Sequence, residues 1–154
     1  AYNNAWASHR LLSACEHLGP GELEAPRTGF FPSIAATLSH TLTVDWYYVD
    51  ALGRAFRGAA PNPGWESFFD PECPFTTIEP LAGAQRAVDR RLVEVCVARD
   101  DEELMQPVDV PRRTGLAPER ADRLLAHLFQ HQIHHRAARR ASRRARRRAS
   151  RHSS

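Results

Sequence analysis

Apolar positions along the chain recur at steps of three and four over four long stretches, separated by segments rich in proline and glycine. That is the period of a helix buried on one face, because successive residues of an α-helix turn by about 100°. The first stretch, Tyr2 to Leu18, sets Trp6, Leu11, Leu12, Cys15 and Leu18 at helical spacing and stops at Gly19-Pro20-Gly21. The second opens at Pro32-Ser33, where a serine side chain can accept from the unpaired amides of a first turn. It carries Ile34, Leu38, Leu42, Trp46, Val49 and Leu52 to about Phe56. The third starts at Thr76-x-x-Glu79, which has the form of a capping box, and runs through Leu81, Val88, Leu92, Val95 and Cys96 to about Arg99. The fourth is predicted to begin with Pro118 and Glu119 in its first turn, and Leu124, Leu128, His131 and His135 follow the 4-3-4 spacing of a buried seam.

The connecting segments qualify this picture without changing it. Residues 58–74 are proline-rich but hold Trp65, Phe68 and Phe69, which predicts a long loop fastened by buried rings and bordering a pocket. The acidic run Asp100 to Glu103 reads as a turn. Val108-Asp109-Val110 lies between Pro107 and Pro111; it suits a short extended piece but not a central strand, since proline cannot donate to a ladder. Four helices joined by loops predict an all-α fold, a four-helix bundle of the up-and-down type, and such bundles build sites from inward side chains on facing helices.

Composition narrows the class. One hundred and fifty-four residues with 42% hydrophobic content suit one domain with a proper core. No run approaches the roughly 18 apolar residues of a membrane span, and no basic start leads into an apolar leader, so the expectation is a cytoplasmic protein without a membrane partner. Cys15, Cys73 and Cys96 are odd in number and form no C-x-x-C pair, which argues against a disulfide framework and a zinc knuckle. The net charge of +3 divides unevenly. Residues 1–135 hold 12 arginines against 18 acidic residues, net −6, whereas residues 136–154 hold 9 arginines and no acid, and the chain has no lysine. Residues 137–154 are almost wholly arginine, alanine and serine. A tail of this kind can bind nucleic acid by neutralising phosphates, but its lack of amphipathic order fits better a shifted reading frame in GC-rich DNA. The acidic body lends nucleic-acid binding no support.

The chemistry concentrates in His127-Leu128-Phe129-Gln130-His131-Gln132-Ile133-His134-His135-Arg136, which places four of the eight histidines in nine residues of a predicted helix. His131 and His135, four apart, share a face, as do His127 and His131. A histidine pair at this spacing is a common metal-ligand geometry and equally a pair of polar residues on a solvated face. The glutamate of His-Glu-x-x-His is absent, because Gln132 follows His131, which argues against a protease with that helix glutamate as its base. His40, alone on an otherwise apolar helix, reads as structural by itself and as a third ligand if it faces such a pair. Tyr47 and Thr43 are candidates to face the same cavity or to pack in the core, and Asp45 is expected to turn away as an outer or surface group. His9, His17 and His152 receive no role.

Three segments carry a family resemblance: Tyr2-Asn3-Asn4-Ala5-Trp6-Ala7-Ser8-His9-Arg10-Leu11-Leu12; Phe31 to His40 with Asp45-Trp46 after it; and Leu128 to Arg136. With them the chain resembles the DinB family, the DinB/YfiT-like metalloenzymes of bacteria, over residues 1–136. The resemblance implies a four-helix bundle, often dimeric, with a divalent metal held by His40, His131 and His135, while His134 points elsewhere and His127 sits one turn further out. It ends at Arg136, where the family pattern continues differently. Imidazole suits zinc, nickel, iron or copper. The implied activity is that of a metal-dependent transferase or hydrolase acting on a small molecule with a low-molecular-weight thiol. The alternative is a metal-binding or stress-response protein without turnover.

Overall fold

Helix α2, Ile34–Ala55, starts where Ser33 accepts a hydrogen bond from the Ala36 amide at 3.0 Å, as its sequence position predicts. The computed structural model that shows this describes the backbone of residues 1–151 and the side chains of residues 1–136. Around α2 stand α1 (Tyr2–Glu16), α3 (Ile78–Val97), the single turn α4 (Asp101–Leu104) and α5 (Ala121–Arg151). Helix α2 packs on α3 and α5, and α1 packs chiefly on α3 and more lightly along α5. The chain is therefore mostly helical, with one small hairpin. Among the described residues no helix is long and apolar enough to cross a membrane. The side chains of the arginine tail, and with them its polyanion and frame-shift readings, lie outside the described residues.

Leu42, Leu52, Leu81 and Leu128 have no exposed surface, and Leu12, Val49, Val88 and Leu92 have almost none. Full burial stabilises each such side chain by about 1.5–3 kcal/mol, so this apolar seam supplies the main drive for the helices to pack. Trp46 lies at its edge, and Trp6, expected on the buried face of α1, is 58% exposed. In the 58–74 segment a 3-10 turn at Trp65–Phe69 sets two rings against Tyr47, with centroids 5.6 and 5.3 Å away.

Three predicted boundaries need correction. Pro118 and Glu119 do not start the last helix: they lie in β2 (Gly115–Arg120), which pairs antiparallel with β1 (Pro107–Arg112) and sets Pro118 opposite Asp109. Val108 and Val110 of β1 are buried and announce themselves by alternation, but β2 is exposed along most of its length and has no alternating pattern to read. Both strands of a two-stranded hairpin are edges, so Pro107, Pro111 and Pro118 are tolerated, and Gly115, with φ +118°, makes the tight return. The Thr76-x-x-Glu79 box does not form, because Thr77 is the residue before α3 and its side chain makes no capping bond. The box forms instead at Asp100 and Glu103, inside the acidic run read as a turn, where each side chain accepts from the other's backbone amide.

A ring of polar side chains closes across the apolar seam. Gln132 Nε2 and Gln85 Nε2 both donate to Asp45 Oδ2, the latter at 2.8 Å, and Gln85 also reaches Asp89 Oδ1 at 3.4 Å. Arg136 Nη1 donates to Gln132 Oε1 at 3.2 Å and to Ser8 Oγ at 3.4 Å, and Ser8 bonds Asp89. All four long helices contribute. Asp45, expected to turn away, is 1% exposed and sits at the centre. Burial raises its carboxyl to about 7; the two glutamine amides and the charge of Arg136 oppose that rise and the charge of Asp89 adds to it. Because the folded-state value lies above the unfolded one, the stability Asp45 contributes is full below about pH 4 and is lost as pH rises through 7.

Replacing Asp45 with alanine strands two buried amide donors, at about 1–3 kcal/mol each, so Asp45→Ala is expected to lower urea-unfolding stability by roughly 2–5 kcal/mol at pH 7. Asp45→Asn keeps an acceptor for both glutamines; it should be tolerated and should remove part of the stability loss between pH 4 and 7.5. Equal costs for the two variants would refute this role.

Candidate metal centre

Two helices build the site. Helix α2 presents His40 from its first half, and α5 presents His131 and His135 one turn apart on the flank of its buried line. That buried line runs through Ala121, Leu124, Leu125, Leu128 and Gln132, so the seam expected at Leu124, Leu128, His131 and His135 is rotated by one residue at its C-terminal end. The rotation leaves the imidazoles half-buried, where a small molecule can reach them, while Gln132 takes the interior position.

The Nε2 atoms of His40 and His131 lie 3.1 Å apart. One ligand nitrogen from each of His40, His131 and His135 falls within 4.8 Å of the others. Two nitrogens bound tetrahedrally at about 2.0–2.1 Å from one ion would be roughly 3.3 Å apart, so the His40 and His131 pair already has near-ligand spacing. The ring centroids stand 5.1 Å (His40 to His131), 5.0 Å (His40 to His135) and 4.4 Å (His131 to His135) apart.

Electrostatics hold the three rings neutral. Burial pushes His131 down to about 3, helped by repulsion from His135, His40, His127 and His134. Burial and repulsion from His40 and His134 bring His135 to about 4. His40 is lowered by burial, against the opposing charge of Glu72. A neutral imidazole keeps a lone pair free, which is the form that binds a metal. Burying His131 is costly by itself, since its Nδ1 has no partner among the described residues and the ring gains nothing from protonation. These nitrogens fit a divalent cation: three uncharged donors, two of them at near-ligand spacing.

The remaining histidines take other places. His127 stacks on His131 at 6.3 Å and meets Tyr48 edge-on at 5.4 Å, one turn out from the cluster. His134 packs beside His135 at 5.1 Å but faces solvent. Tyr47 and Thr43 are on the core side: Tyr47 donates to the Pro111 carbonyl and accepts from Arg112 Nη1 at 2.9 Å, and Thr43 donates to the His40 carbonyl at 3.0 Å. Two residues near the cluster escape sequence reasoning. Phe31 covers it from one side, 4.6 Å from the His40 ring and 5.5 Å from His135; the only signal is an aromatic just ahead of the Pro32-Ser33 helix start. Glu72 acts on His40 from the long loop and has no spacing relation to it at all.

The family model of the DinB family matches residues 1–141. The chain belongs to the DinB family. The match extends five residues past the end of the resemblance read from the sequence. A comparison with curated proteins finds no match. In this DinB-family chain the histidines that the family resemblance singles out are those that α2 and α5 bring together, and as a group they could hold a metal ion.

Each histidine with a depressed value is protonated more readily in the unfolded chain, so the folded state loses stability as pH falls below about 6.5, toward 3 to 4 where His131 and His135 titrate in the fold. The metal-free wild type should therefore lose more stability between pH 7 and 5, in urea unfolding, than the His131→Ala/His135→Ala double variant. Parallel pH curves for the two proteins would refute the neutral, buried state of the cluster.

Proposed function

We propose that this chain is a divalent-metal-dependent enzyme with the up-and-down four-helix bundle of its family, acting on a small molecule as a thiol-dependent transferase or a hydrolase. The observation that carries the reading is the meeting of three neutral imidazoles from two helices, with ligand nitrogens within 4.8 Å of one another. His40, His131 and His135 would be the ligands. A divalent ion held by three uncharged ligands keeps its full charge, so when bound it would lower the pKa of bound water or hold a thiolate.

The protein's own groups act around that position. Phe31 excludes water from one side of the rings. Gln132, held by Asp45, fixes the rotation of α5 and so aims His131 and His135 at His40. Glu72 supplies a negative charge that is felt at His40. What favours turnover over storage is access, because His135 and Phe31 also line a large open groove.

Protein purified without a nickel column should contain close to one equivalent of zinc, nickel or iron by plasma mass spectrometry. Single His40→Ala, His131→Ala and His135→Ala variants should each lower that content by tenfold or more at micromolar metal, and thiol-transfer and hydrolytic assays should be run on the loaded wild type. Unchanged metal content in any one variant would remove that residue from the ligand set, and no metal after reconstitution would end the proposal.

A further inference from the structure

Between α1, residues 27–34 and α5 runs a groove of about 790 Å³, inside the range of roughly 300–1,000 Å³ typical of small-molecule sites. Its walls are apolar and largely exposed: Trp6 at 58%, Ile133 at 60% and Phe30 at 94%. Its charges all have one sign. Arg10, Arg27 and Arg136 line it and no acidic residue does, although the body of the chain carries net −6. Arg136 is committed to the buried ring. Arg10 lies over the Trp6 ring at 4.8 Å and makes no ion pair among the described residues. Arg27 gives Nη2 to the Glu22 carbonyl at 3.3 Å and leaves its buried Nε without a partner. In the same lining Asn4 is 6% exposed, and neither its amide nitrogen nor its oxygen has a partner among the described residues.

We infer that the groove binds a small organic carboxylate, its aromatic or aliphatic body against Trp6 and Ile133 and its carboxylate taken by Arg10, Arg27 and Asn4. This deepens the metal-enzyme reading by naming the class of molecule brought to His135. Charge decides among occupants: the arginine tail would be repelled by Arg10 and Arg27, and a neutral ligand would leave their positive charges without a counter-charge. Rigid aromatics beside fixed donors are how such sites orient amphipathic anions.

The test uses 2-naphthylacetate and its neutral amide as probes, titrated by calorimetry into the full chain, with and without added zinc, while sedimentation records the oligomeric state. The acid should bind at least tenfold more tightly than the amide. Arg10→Gln/Arg27→Gln should cut that preference to about twofold or less with an unchanged unfolding midpoint. Ile133→Glu, on the exposed wall, should weaken the acid more than the amide. Equal binding of acid and amide, a preference indifferent to the arginines, or no binding because a second copy covers the groove would each overturn the inference. Zinc content, measured on the same samples, separates the two readings: zinc without carboxylate preference sinks the groove alone, and carboxylate preference without zinc sinks the metal centre alone.

Discussion

The closed ring of hydrogen bonds through Asp45, Gln132, Arg136, Ser8, Asp89 and Gln85 is the constraint on which the rest of the arrangement depends. Leucine side chains drive the helices together but allow sliding and rotation, because dispersion and hydrophobic burial have little directional preference. A buried amide or carboxylate has direction, and missing its partner costs more than the bond itself contributes. One rotation of each long helix lets these six side chains meet, with both glutamine amides on Asp45 Oδ2 and only Asp45 Oδ1 left without a partner among the described residues. Gln132 lies next to His131 and three residues before His135, so the rotation that satisfies Gln132 also turns both imidazoles toward His40.

The same geometry explains why the imidazoles are neutral. Three rings gathered at 4.4–5.1 Å and partly removed from water cannot all carry charge. Burial and mutual repulsion disfavour a second proton on each ring, which leaves each a lone pair, with one ligand nitrogen of each ring within 4.8 Å of the others. Stability and site chemistry pull against each other here: the fold pays with an unpartnered His131 Nδ1 and an acid-sensitive cluster. Asp45 has the opposite pH response, being favoured when protonated. The two responses leave the folded chain best served between the acid range that charges the histidines and the alkaline side that ionises Asp45.

The hairpin and the long loop complete the surroundings by different means. Val108 and Val110 tuck β1 against α2, and Tyr47 fastens the same strand through the Pro111 carbonyl. That keeps Tyr47 in the core, although its spacing from His40 made it a candidate for the cavity. The loop brings the charge of Glu72 to bear on His40 from a distant part of the chain.

The order of the four long helices, the serine start of α2 and the i, i+4 histidine pair were legible in the sequence, because helical periodicity and capping are local and repeat within a few residues. The likeness to the DinB family was legible in three segments, and the family match agrees with it. Three things were decided only by tertiary structure. Asp45 and Gln132 became the buried centre because partners 40 and 87 residues away in the chain compensate their desolvation, as the Gln85 and Gln132 bonds do. Pro118 and Glu119 became strand because a mostly exposed β2 takes its conformation from pairing with β1 rather than from any pattern of its own. And Arg10, Arg27 and Asn4 came to share one groove because α1 and the segment before α2 fold against α5, a juxtaposition that no periodicity along a single helix records.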